Sequence, residues 1–303
     1  MNSNSITVVI PTFKRHALLE RCLSRLAPYV RSHPECTIVI SDNADASETS
    51  GKLTDYLDVV QVVQGPRTSP AANRNCGAAH ATGSLIVFLD DDCIPEPDLI
   101  AAYRDAEIKN PEIGIFEGRI SARGQITSFA DACPANETGG NLWSCNFAIR
   151  RELFSSVGGF DERFALPGME DVDLRFRLSG KSPILFIPEA RVFHDIEHRP
   201  GWKAQKHMAL STILYAHLRG LKETGKNPAH VAWGMAHLAV HYSRQVWRRE
   251  YVRDPQHIVM VLWVNTLIFC ITLLWKFHPR LTKIIFPACC DGCRSIHTAL
   301  LEN

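Results

Sequence analysis

Short apolar runs alternate with amphipathic segments along the first third of the chain. Runs typical of short buried strands occur at Ile6–Ile10, Thr37–Ile40, Leu57–Val63 and Leu85–Leu89. Between the first two runs, Leu19, Cys22 and Leu26 recur at the three- and four-residue spacing of a helix face. A second helix is predicted at Ala71–Ala81. Strands that alternate with helices in this order predict an α/β fold, with a mostly parallel sheet flanked by helices.

The alternation continues with less regular spacing up to about residue 200. The further predicted elements are a helix from Pro95 to about Asn110, extended segments at Gly114–Ile120, Leu142–Ile149 and Ile184–Ile187, and short helices at Arg151–Val157 and Asp171–Leu178. After about Pro200, strand signals stop and long helical patterns take over. This change predicts a C-terminal helical extension.

Composition and charge narrow the class of protein. The 303 residues are 46% hydrophobic and 21% charged, with a formal net charge of +1, which is typical of a globular protein and favours no nucleic-acid partner. The ten cysteines show no repeating spacing, so we expect a reducing compartment. The N-terminal residues have no basic segment leading into an apolar one, so we expect the chain to start in the cytosol.

Polar residues follow three of the four predicted strands where each strand ends. Thr12 follows the first strand, Asp42 the second, and Asp90, Asp91 and Asp92 the fourth. Open parallel sheets bind ligands at the carboxyl ends of their strands. We therefore expect these side chains to meet at one ligand-binding edge.

The acidic run Asp90-Asp91-Asp92 is the strongest chemical signal in the sequence. Three adjacent carboxylates repel one another unless a cation or hydrogen-bond donors compensate them, so the run points to Mg²⁺ or Mn²⁺. Asp90 and Asp92 face the same way on an extended backbone, so one can reach a metal while the other reaches a ribose hydroxyl or a metal-bound water. The alternative is a solvated acidic turn without a ligand.

Other candidate residues are weaker when taken singly. Arg74 could neutralise substrate phosphates, or it could be an exposed helix arginine. Glu170 and Asp171 begin a predicted helix, where carboxylates serve as N-terminal caps, but one of them could act as a general base. His194 follows a strand-like run and could be a metal ligand or a core histidine.

Taken together, the motifs resemble a known family. In order, they are VVIPTFKR, ISDNAD, AANRNCGAAHATG, FLDDDCIP, NLWSCNFAIRRELFSSVGGFDE, GMEDVDLRFRL and RVFHD, from about Ile6 to Asp195. This series is similar to the family 2 glycosyltransferases, which have the GT-A fold. The resemblance implies a metal-dependent, inverting transfer of a sugar from a nucleotide-diphosphate sugar to a hydroxyl acceptor.

The resemblance also implies roles for individual residues. Asp42 would accept a hydrogen bond from the base, and Asp90 and Asp92 are similar to the family's DxD pair. Asp92 and His194 would hold Mn²⁺ or Mg²⁺, and Asp171 would be the general base. The donor-binding residues would be Pro11, Thr12, Arg15, Asp42, Arg74, Asp90 and Asp91, and the acceptor-side residues Trp143, Asn146 and Glu170. The loop Ser41-Asp42-Asn43-Ala44 departs from the Asp-Asp-Gly-Ser of many relatives, which leaves the base preference open.

On this interpretation, residues 1–118 form the donor-binding half of a GT-A domain, residues 119–200 its acceptor-binding and catalytic-base half, and residues 201–303 a helical tail. A nucleotidyltransferase is an alternative, but it would show a glycine-rich loop after its first strand, where this chain has Pro11-Thr12-Phe13-Lys14-Arg15. A catalytically inactive sugar-binding or scaffold protein with the same fold is another alternative.

The tail carries a membrane signal. Ile258–Trp275 is eighteen residues without a charge, flanked by basic residues on both sides, so it could span a bilayer, lie in its interface or pack on the catalytic domain. Ala229–Trp247 could form an amphipathic surface helix. We expect an enzyme on the cytoplasmic face of a membrane, acting on a polysaccharide or lipid-linked glycan. Cys289, Cys290 and Cys293 are interpreted as free thiols or acylation sites rather than as a zinc site.

Overall fold

The computed structural model describes residues 5–128, 130–199, 202–220 and 291–300, together with Val259, Trp263 and Thr266. It divides into two compact units. The sheet unit comprises Met1–Arg123, Cys133–Asp161 and Asp171–Asp195, and the second unit comprises Gly124–Ala132, Glu162–Glu170 and Ile196–Asn303. Both predicted halves of the GT-A domain contribute to the sheet unit.

Strands and helices alternate as the sequence predicts. The strands are β1 (Ile6–Thr12), β2 (Cys36–Asp42), β3 (Val60–Gln64), β4 (Leu85–Leu89), β5 (Cys93–Pro95), β6 (Ile115–Arg123), β7 (Asp131–Ala132), β8 (Asn146–Arg150), β9 (Ile184–Asp195) and β10 (Glu197–His198). The described α-helices are α1 (His16–Ser32), α2 (Ala46–Lys52), α3 (Pro70–Ala79), α4 (Leu99–Lys109), α5 (Arg151–Ser156), α6 (Glu170–Leu178), α7 (Trp202–Arg219) and α8 (Asp291–Ala299), with a 3₁₀ turn at Thr54–Tyr56.

Eight strands form one mixed sheet in the order β3-β2-β1-β4-β8-β6-β9-β5. The first four strands of this order are parallel, as expected for strands joined by helices. β8 then runs antiparallel to both β4 and β6, β9 is parallel to β6, and β5 is antiparallel to β9. The carboxyl ends of β1, β2 and β4 therefore meet at one edge, with β1 between the other two.

Three strands and one helix begin or end at residues other than the predicted ones, each for a local reason. The third strand begins at Val60 because the 3₁₀ turn occupies the preceding residues. The helix predicted from Pro95 begins at Leu99 because β5 pairs with β9 first. The strand predicted from Leu142 begins at Asn146 because Leu142 has a left-handed backbone, with φ of 53°. The last strand extends from Ile187 to Asp195, past a register shift opposite Gly118/Arg119.

The sheet is covered by two hydrophobic clusters. The larger cluster packs α1 and α4 against alternate residues of β1, β2 and β4. The other cluster centres on Phe88, whose ring centroid lies 5.1 Å from those of Phe147 and Phe154 and 5.2 Å from that of Phe160. Phe160 comes from the loop after α5, so this aromatic cluster joins the middle of the sheet to that loop.

The second unit contains the β7–β10 pair and helices α7 and α8. His198 on β10 contacts Asp131 on β7, with 2.7 Å between His198 Nδ1 and the carboxylate. Within the described part of the chain, no helix has both the length and the apolar character needed to cross a membrane.

Most of the tail that carries the sequence predictions lies outside the described residues. This includes Ala229–Trp247, Cys289, Cys290 and all of Ile258–Trp275 except its three described positions. Cys293 is described and is buried on α8.

Replacing Phe88 with alanine should lower the free energy of unfolding by about 3–5 kcal/mol, because it empties the centre of the aromatic cluster. Urea denaturation followed by circular dichroism measures this loss. Phe13→Ala is the matched control, since Phe13 is 54% exposed and its removal should change stability by no more than about 0.5 kcal/mol. Equal losses for the two variants would contradict the assignment of Phe88 to the core.

Candidate active site

The carboxyl ends of β1 and β2 are tied together by one buried side chain. Asn73, on α3, donates from Nδ2 to the carbonyl oxygens of Ser41 at 2.9 Å and Thr12 at 3.4 Å. The Ser41 hydroxyl donates back to Asn73 Oδ1 at 2.7 Å. Ser69 caps the start of α3 by accepting from the Ala72 amide, and this fixes where Asn73 lies. The strand ends that carry Thr12 and Asp42 are thereby held side by side.

The acidic run follows β4 at the same edge, and its two outer carboxylates have different cationic partners. Asp90 Oδ1 lies 2.7 Å from a guanidinium nitrogen of Arg74, which is buried. Asp92 Oδ2 lies 2.5 Å from Arg15, which also approaches Asp91 at 3.3 Å. The repulsion that makes this run costly is therefore offset by one arginine from the loop after β1 and another from α3.

Asp91, the middle residue of the run, is directed inward. It is buried and accepts a 2.7 Å hydrogen bond from the Thr12 hydroxyl. Burial raises the pKa of Asp91 to about 7, although Arg15 and Thr12 oppose the shift. Asp91 therefore connects the acidic run to β1, while Asp90 and Asp92 flank it.

Asp92, which is half-buried, and His194, which is buried, form a pair that fits a divalent cation. Asp92 Oδ1 lies 3.4 Å from His194 Nε2, and among the described residues this buried oxygen has no hydrogen-bond partner. Burial favours the neutral form of both groups, yet each holds the other charged, so the pKa of Asp92 is lowered and that of His194 is raised. The His194 Nδ1 atom is 2.8 Å from the Asp195 carbonyl oxygen, which leaves Nε2 directed at the carboxylate.

A carboxylate oxygen and an imidazole nitrogen at this separation can share one Mn²⁺ or Mg²⁺, and substrate phosphates and water would supply the remaining ligands. Within the described residues, no group of three or more His, Cys, Asp or Glu side chains is arranged to hold a metal ion. The residues present thus fit a cation that is held jointly with a phosphate-bearing substrate.

Two residues that sequence reasoning missed fix the position of this pair. Arg21, on α1, donates to the Asp92 carbonyl oxygen at 3.0 Å and to the Asp195 carboxylate at 3.0 Å. Arg123, on β6, contacts the same carboxylate at 2.5 Å. Arg21 and Asp195 thereby set the separation of Asp92 and His194. The two missed residues are thus Arg21 and Asp195. In the sequence, the only signal for Asp195 is its position directly after His194, and no motif includes Arg21.

Arg74 also contacts a residue outside the predicted donor-binding set, namely Phe160 in the loop after α5. Its guanidinium carbon lies 5.7 Å from the centroid of the Phe160 ring. Asn75 fixes that loop, because its side-chain amide donates to the Phe160 carbonyl and accepts from the Phe160 amide, both at 2.9 Å. The aromatic core therefore supports the arginine that faces Asp90.

The predicted base-binding residue, Asp42, is buried and anchors the loop after β2. Its carboxylate accepts from the Ala44 amide at 2.8 Å and from the Thr49 hydroxyl at 2.6 Å. Pro11 is half-buried in β1, opposite Ser41. Asp42 thus already shapes the loop at the edge where the resemblance would put a nucleotide.

On the predicted acceptor side, Asp171 begins the part of α6 that belongs to the sheet unit. It is half-buried, and its carboxylate accepts from the amides of Val172 at 2.8 Å and Ser144 at 3.4 Å. Trp143 is half-buried against the larger core cluster. The Asp171 carboxylate is therefore held next to the 143–144 segment.

The other two predicted acceptor-side residues are placed differently. Asn146 is fully buried: it donates to the carbonyl oxygens of Arg119 and Ala190 and accepts from the Tyr103 hydroxyl. Its amide is occupied inside the sheet, so it is not available to an acceptor. Glu170, in the second unit, is buried and accepts from the Gly168 amide at 2.7 Å, which is a local turn contact.

The mixed sheet, with its parallel half and the acidic run at the carboxyl edge of that half, has the GT-A fold of glycosyltransferases. Residues 7–158 match the family model described as Glycosyl transferase family 2, and residues 141–200 match Glycosyltransferase like family 2. The chain belongs to glycosyl transferase family 2.

The chain is similar in sequence to two glycan- or sugar-related proteins and in fold to a solved mannosyltransferase structure. The chain is 26% identical over 62% of its length to the O-antigen biosynthesis protein RfbC of Myxococcus xanthus, and 28% identical over 57% of its length to a validoxylamine A glucosyltransferase of Streptomyces hygroscopicus subsp. limoneus. It spans only 17% and 47% of these two relatives. Among solved structures, a mannosyltransferase of Pyrobaculum calidifontis in complex with GDP-Man and Mn²⁺ is 18% identical, with a TM-score of 0.53 over 90% of this chain and 87% of that one.

Replacing Arg21 with methionine should weaken Mn²⁺ binding in the presence of UDP or GDP by about tenfold or more, because the ligand pair loses the contact that sets its separation. A Mn²⁺ titration followed by thermal stabilisation measures the change. Arg31→Met is the control, since Arg31 lies on the same helix but pairs with exposed Asp58. Indistinguishable Mn²⁺ titrations of Arg21→Met and the unmodified chain would contradict a positioning role for Arg21.

Proposed function

We propose that this protein transfers a sugar from a nucleotide-diphosphate sugar to a hydroxyl group of a glycan or lipid-linked acceptor, with inversion at the anomeric carbon. The observation that carries this proposal is the Asp92–His194 pair, in which a buried carboxylate oxygen of Asp92 lies 3.4 Å from the imidazole Nε2 atom. Arg15 and Arg74 lie on the two sides of the same acidic run. This combination suits a diphosphate that arrives with a divalent cation.

The donor would bind at the edge formed by β1, β2 and β4. Asp42 would face the base, and Asp90 the ribose, with Pro11 and Thr12 forming the floor at the end of β1. Asp92 and His194 would hold Mn²⁺ or Mg²⁺, which supplies charge neutralisation for the departing diphosphate. Arg15 and Arg74 add positive charge next to the same leaving group.

Asp171 is the proposed general base. Its carboxylate would take the proton of the acceptor hydroxyl while the acceptor oxygen forms a bond to the anomeric carbon. The bond from that carbon to the diphosphate oxygen breaks in the same displacement, and the nucleoside diphosphate leaves with the electron pair. The hydrogen bonds from Ser144 and Val172 hold the carboxylate in one orientation.

A nucleotidyltransferase is the second candidate, because it also uses a carboxylate pair and a metal on an α/β sheet. The segment after β1, Pro11 to Arg15, contains no glycine, whereas that class uses a glycine-rich loop there. An inactive sugar-binding protein would retain donor binding without turnover, so the following experiment separates it from an enzyme.

Asp92→Asn should abolish Mn²⁺-dependent binding of nucleoside diphosphate and all turnover of sugar nucleotide, because the cation loses a charged ligand. Asp171→Asn should preserve that binding but lower turnover by about 100-fold or more, because only the proton acceptor is lost. A panel of UDP-, GDP- and dTDP-sugars, screened by Mn²⁺-dependent thermal stabilisation, selects the donor. Release of nucleoside diphosphate, with water as acceptor, then measures turnover.

Asp105→Asn is the control for both variants, because Asp105 is an exposed α4 residue paired only loosely with Lys109, at 3.7 Å. It should match the unmodified chain in binding and turnover. Full turnover in Asp171→Asn would contradict the assignment of the base. Mn²⁺-dependent binding that survives in Asp92→Asn would contradict the assignment of the metal ligand.

A membrane surface on the cytoplasmic face is the proposed setting for a lipid-linked acceptor. Val259 and Trp263 are helical residues four positions apart, 69% and 58% exposed, within an uncharged segment flanked by arginine and lysine. An exposed valine and tryptophan, in an uncharged stretch of sequence with basic residues before and after it, suit the interface of an anionic bilayer.

The double variant Val259→Asp/Trp263→Asp should bind vesicles of anionic phospholipid at least about tenfold more weakly than the unmodified chain, because two carboxylates replace the apolar contact. Flotation of the full chain with vesicles measures the bound fraction. Leu57→Asp is the control, since Leu57 is an exposed apolar residue of the sheet unit and should have no effect. A full chain that never floats with the vesicles would contradict the membrane proposal.

A further inference from the structure

We infer that Glu117 is a positioning residue for the transfer reaction: it holds residues 139–144 in the conformation that brings the Ser144 amide to Asp171. The inference rests on the proposed function, because it concerns the base assigned there. Glu117 lies on β6 and was not among the residues that the sequence motifs marked.

Glu117 is a buried carboxylate whose hydrogen bonds converge from one loop. Its Oε1 atom accepts from Asn136 Nδ2 at 2.8 Å, from the Asn141 amide at 2.7 Å and from the Leu142 amide. Its Oε2 atom accepts from the Gly140 amide at 2.6 Å. Three successive backbone amides therefore point at a single side chain that is 1% exposed.

The loop needs such an acceptor because its backbone is unusual. Gly139, Gly140 and Leu142 have φ angles of 81°, 99° and 53°, all in the left-handed region. That region is unfavourable for leucine, so the surrounding contacts must impose it. The same turns direct consecutive amides to one side, and a buried carboxylate can satisfy all of them.

A carboxylate suits this position better than an amide of the same shape. A glutamine could accept through one oxygen only, and its NH₂ group would face backbone N–H donors, leaving at least one of them unpaired. Asn136 supports the arrangement, because its Oδ1 atom accepts from the Gly139 amide and from Asn141 Nδ2, both at 3.1 Å. The charge of Glu117 is thus used to shape the loop.

The segment that Glu117 holds leads directly to the proposed base. Leu142 is buried in the cluster around Phe88, and Trp143 packs against the other cluster. The next residue, Ser144, donates its amide to Asp171 Oδ2 at 3.4 Å. A loop released from Glu117 would move this amide and the Trp143 ring together, while Arg15, Arg74 and Asp92 keep the contacts described above.

Glu117→Gln should therefore impair the loop and turnover while leaving nucleotide binding intact. Amide hydrogen exchange in a peptide covering residues 137–144 should speed up by about 10- to 100-fold, because backbone donors lose a charged acceptor. The kcat for sugar-nucleotide turnover should fall by about 100-fold, because the base is misplaced. The Kd of UDP or GDP with Mn²⁺ should stay unchanged, since the donor-side contacts remain.

Glu107→Gln is the matched control: Glu107 is also a buried glutamate of the sheet unit, but it pairs with Arg150 at 3.1 Å. It should lower stability without changing exchange in 137–144 or kcat. Asn136→Ala is a milder second variant, which should move exchange and kcat in the same direction as Glu117→Gln. If Glu117→Gln fails to fold, this variant decides the question.

Unchanged exchange in 137–144, or a kcat that falls only in proportion to lost stability in both glutamate variants, would overturn the inference. Failure of the proposed function is recognisable separately, as an unmodified chain that turns over no sugar nucleotide. In that case, exchange in 137–144 alone decides whether Glu117 holds the loop. Faster exchange then supports the structural half of the inference, and unchanged exchange overturns it.

Discussion

The constraint on which this structure depends is the crowding of three carboxylates at the end of β4. Like charges at consecutive positions are tolerated only where cations and donors surround them. Here the compensating groups are Thr12 at the end of β1, Arg15 in the loop after it, Arg74 on α3 and His194 on β9. Each contacts one or two of the three aspartates. The order of the strands brings these groups to one edge of the sheet, so the fold itself supplies the charges and donors that the aspartates need.

The three aspartates are not compensated equally, and this difference singles out Asp92 as the proposed ligand of a cation. Asp90 and Asp91 are satisfied within the protein, whereas Asp92 keeps one buried oxygen directed at His194 without a hydrogen bond. That oxygen is where a cation with its phosphates would complete the set of contacts. On the other side of the proposed reaction, a single buried carboxylate, Glu117, shapes a loop by accepting from its backbone. Buried negative charge therefore serves ligand binding in one place and positioning in the other.

The sequence predicted the elements and the acidic edge because these depend on local pattern and on the cost of adjacent charges. It did not predict Arg21 or Glu117. The partners of Arg21 are brought close by the pairing of β5 with β9, and those of Glu117 by the pairing of β6 with β8, which no local periodicity specifies. It also expected Asn146 on the acceptor side. Gly118 leaves room inside the sheet for the Asn146 amide, and a side chain there would collide with Asn146 Nδ2 and the Tyr103 hydroxyl.

Whether Asp92 and His194 hold the metal can be tested in crystals of the full chain grown with Mn²⁺ and a nucleoside diphosphate, with diffraction recorded at the manganese absorption edge. Anomalous scattering locates the ion without reference to activity. We expect one strong peak within coordination distance of Asp92 Oδ1, His194 Nε2 and the diphosphate oxygens. A peak held by other residues, or a bound nucleotide with no manganese between its diphosphate and Asp92, would contradict it.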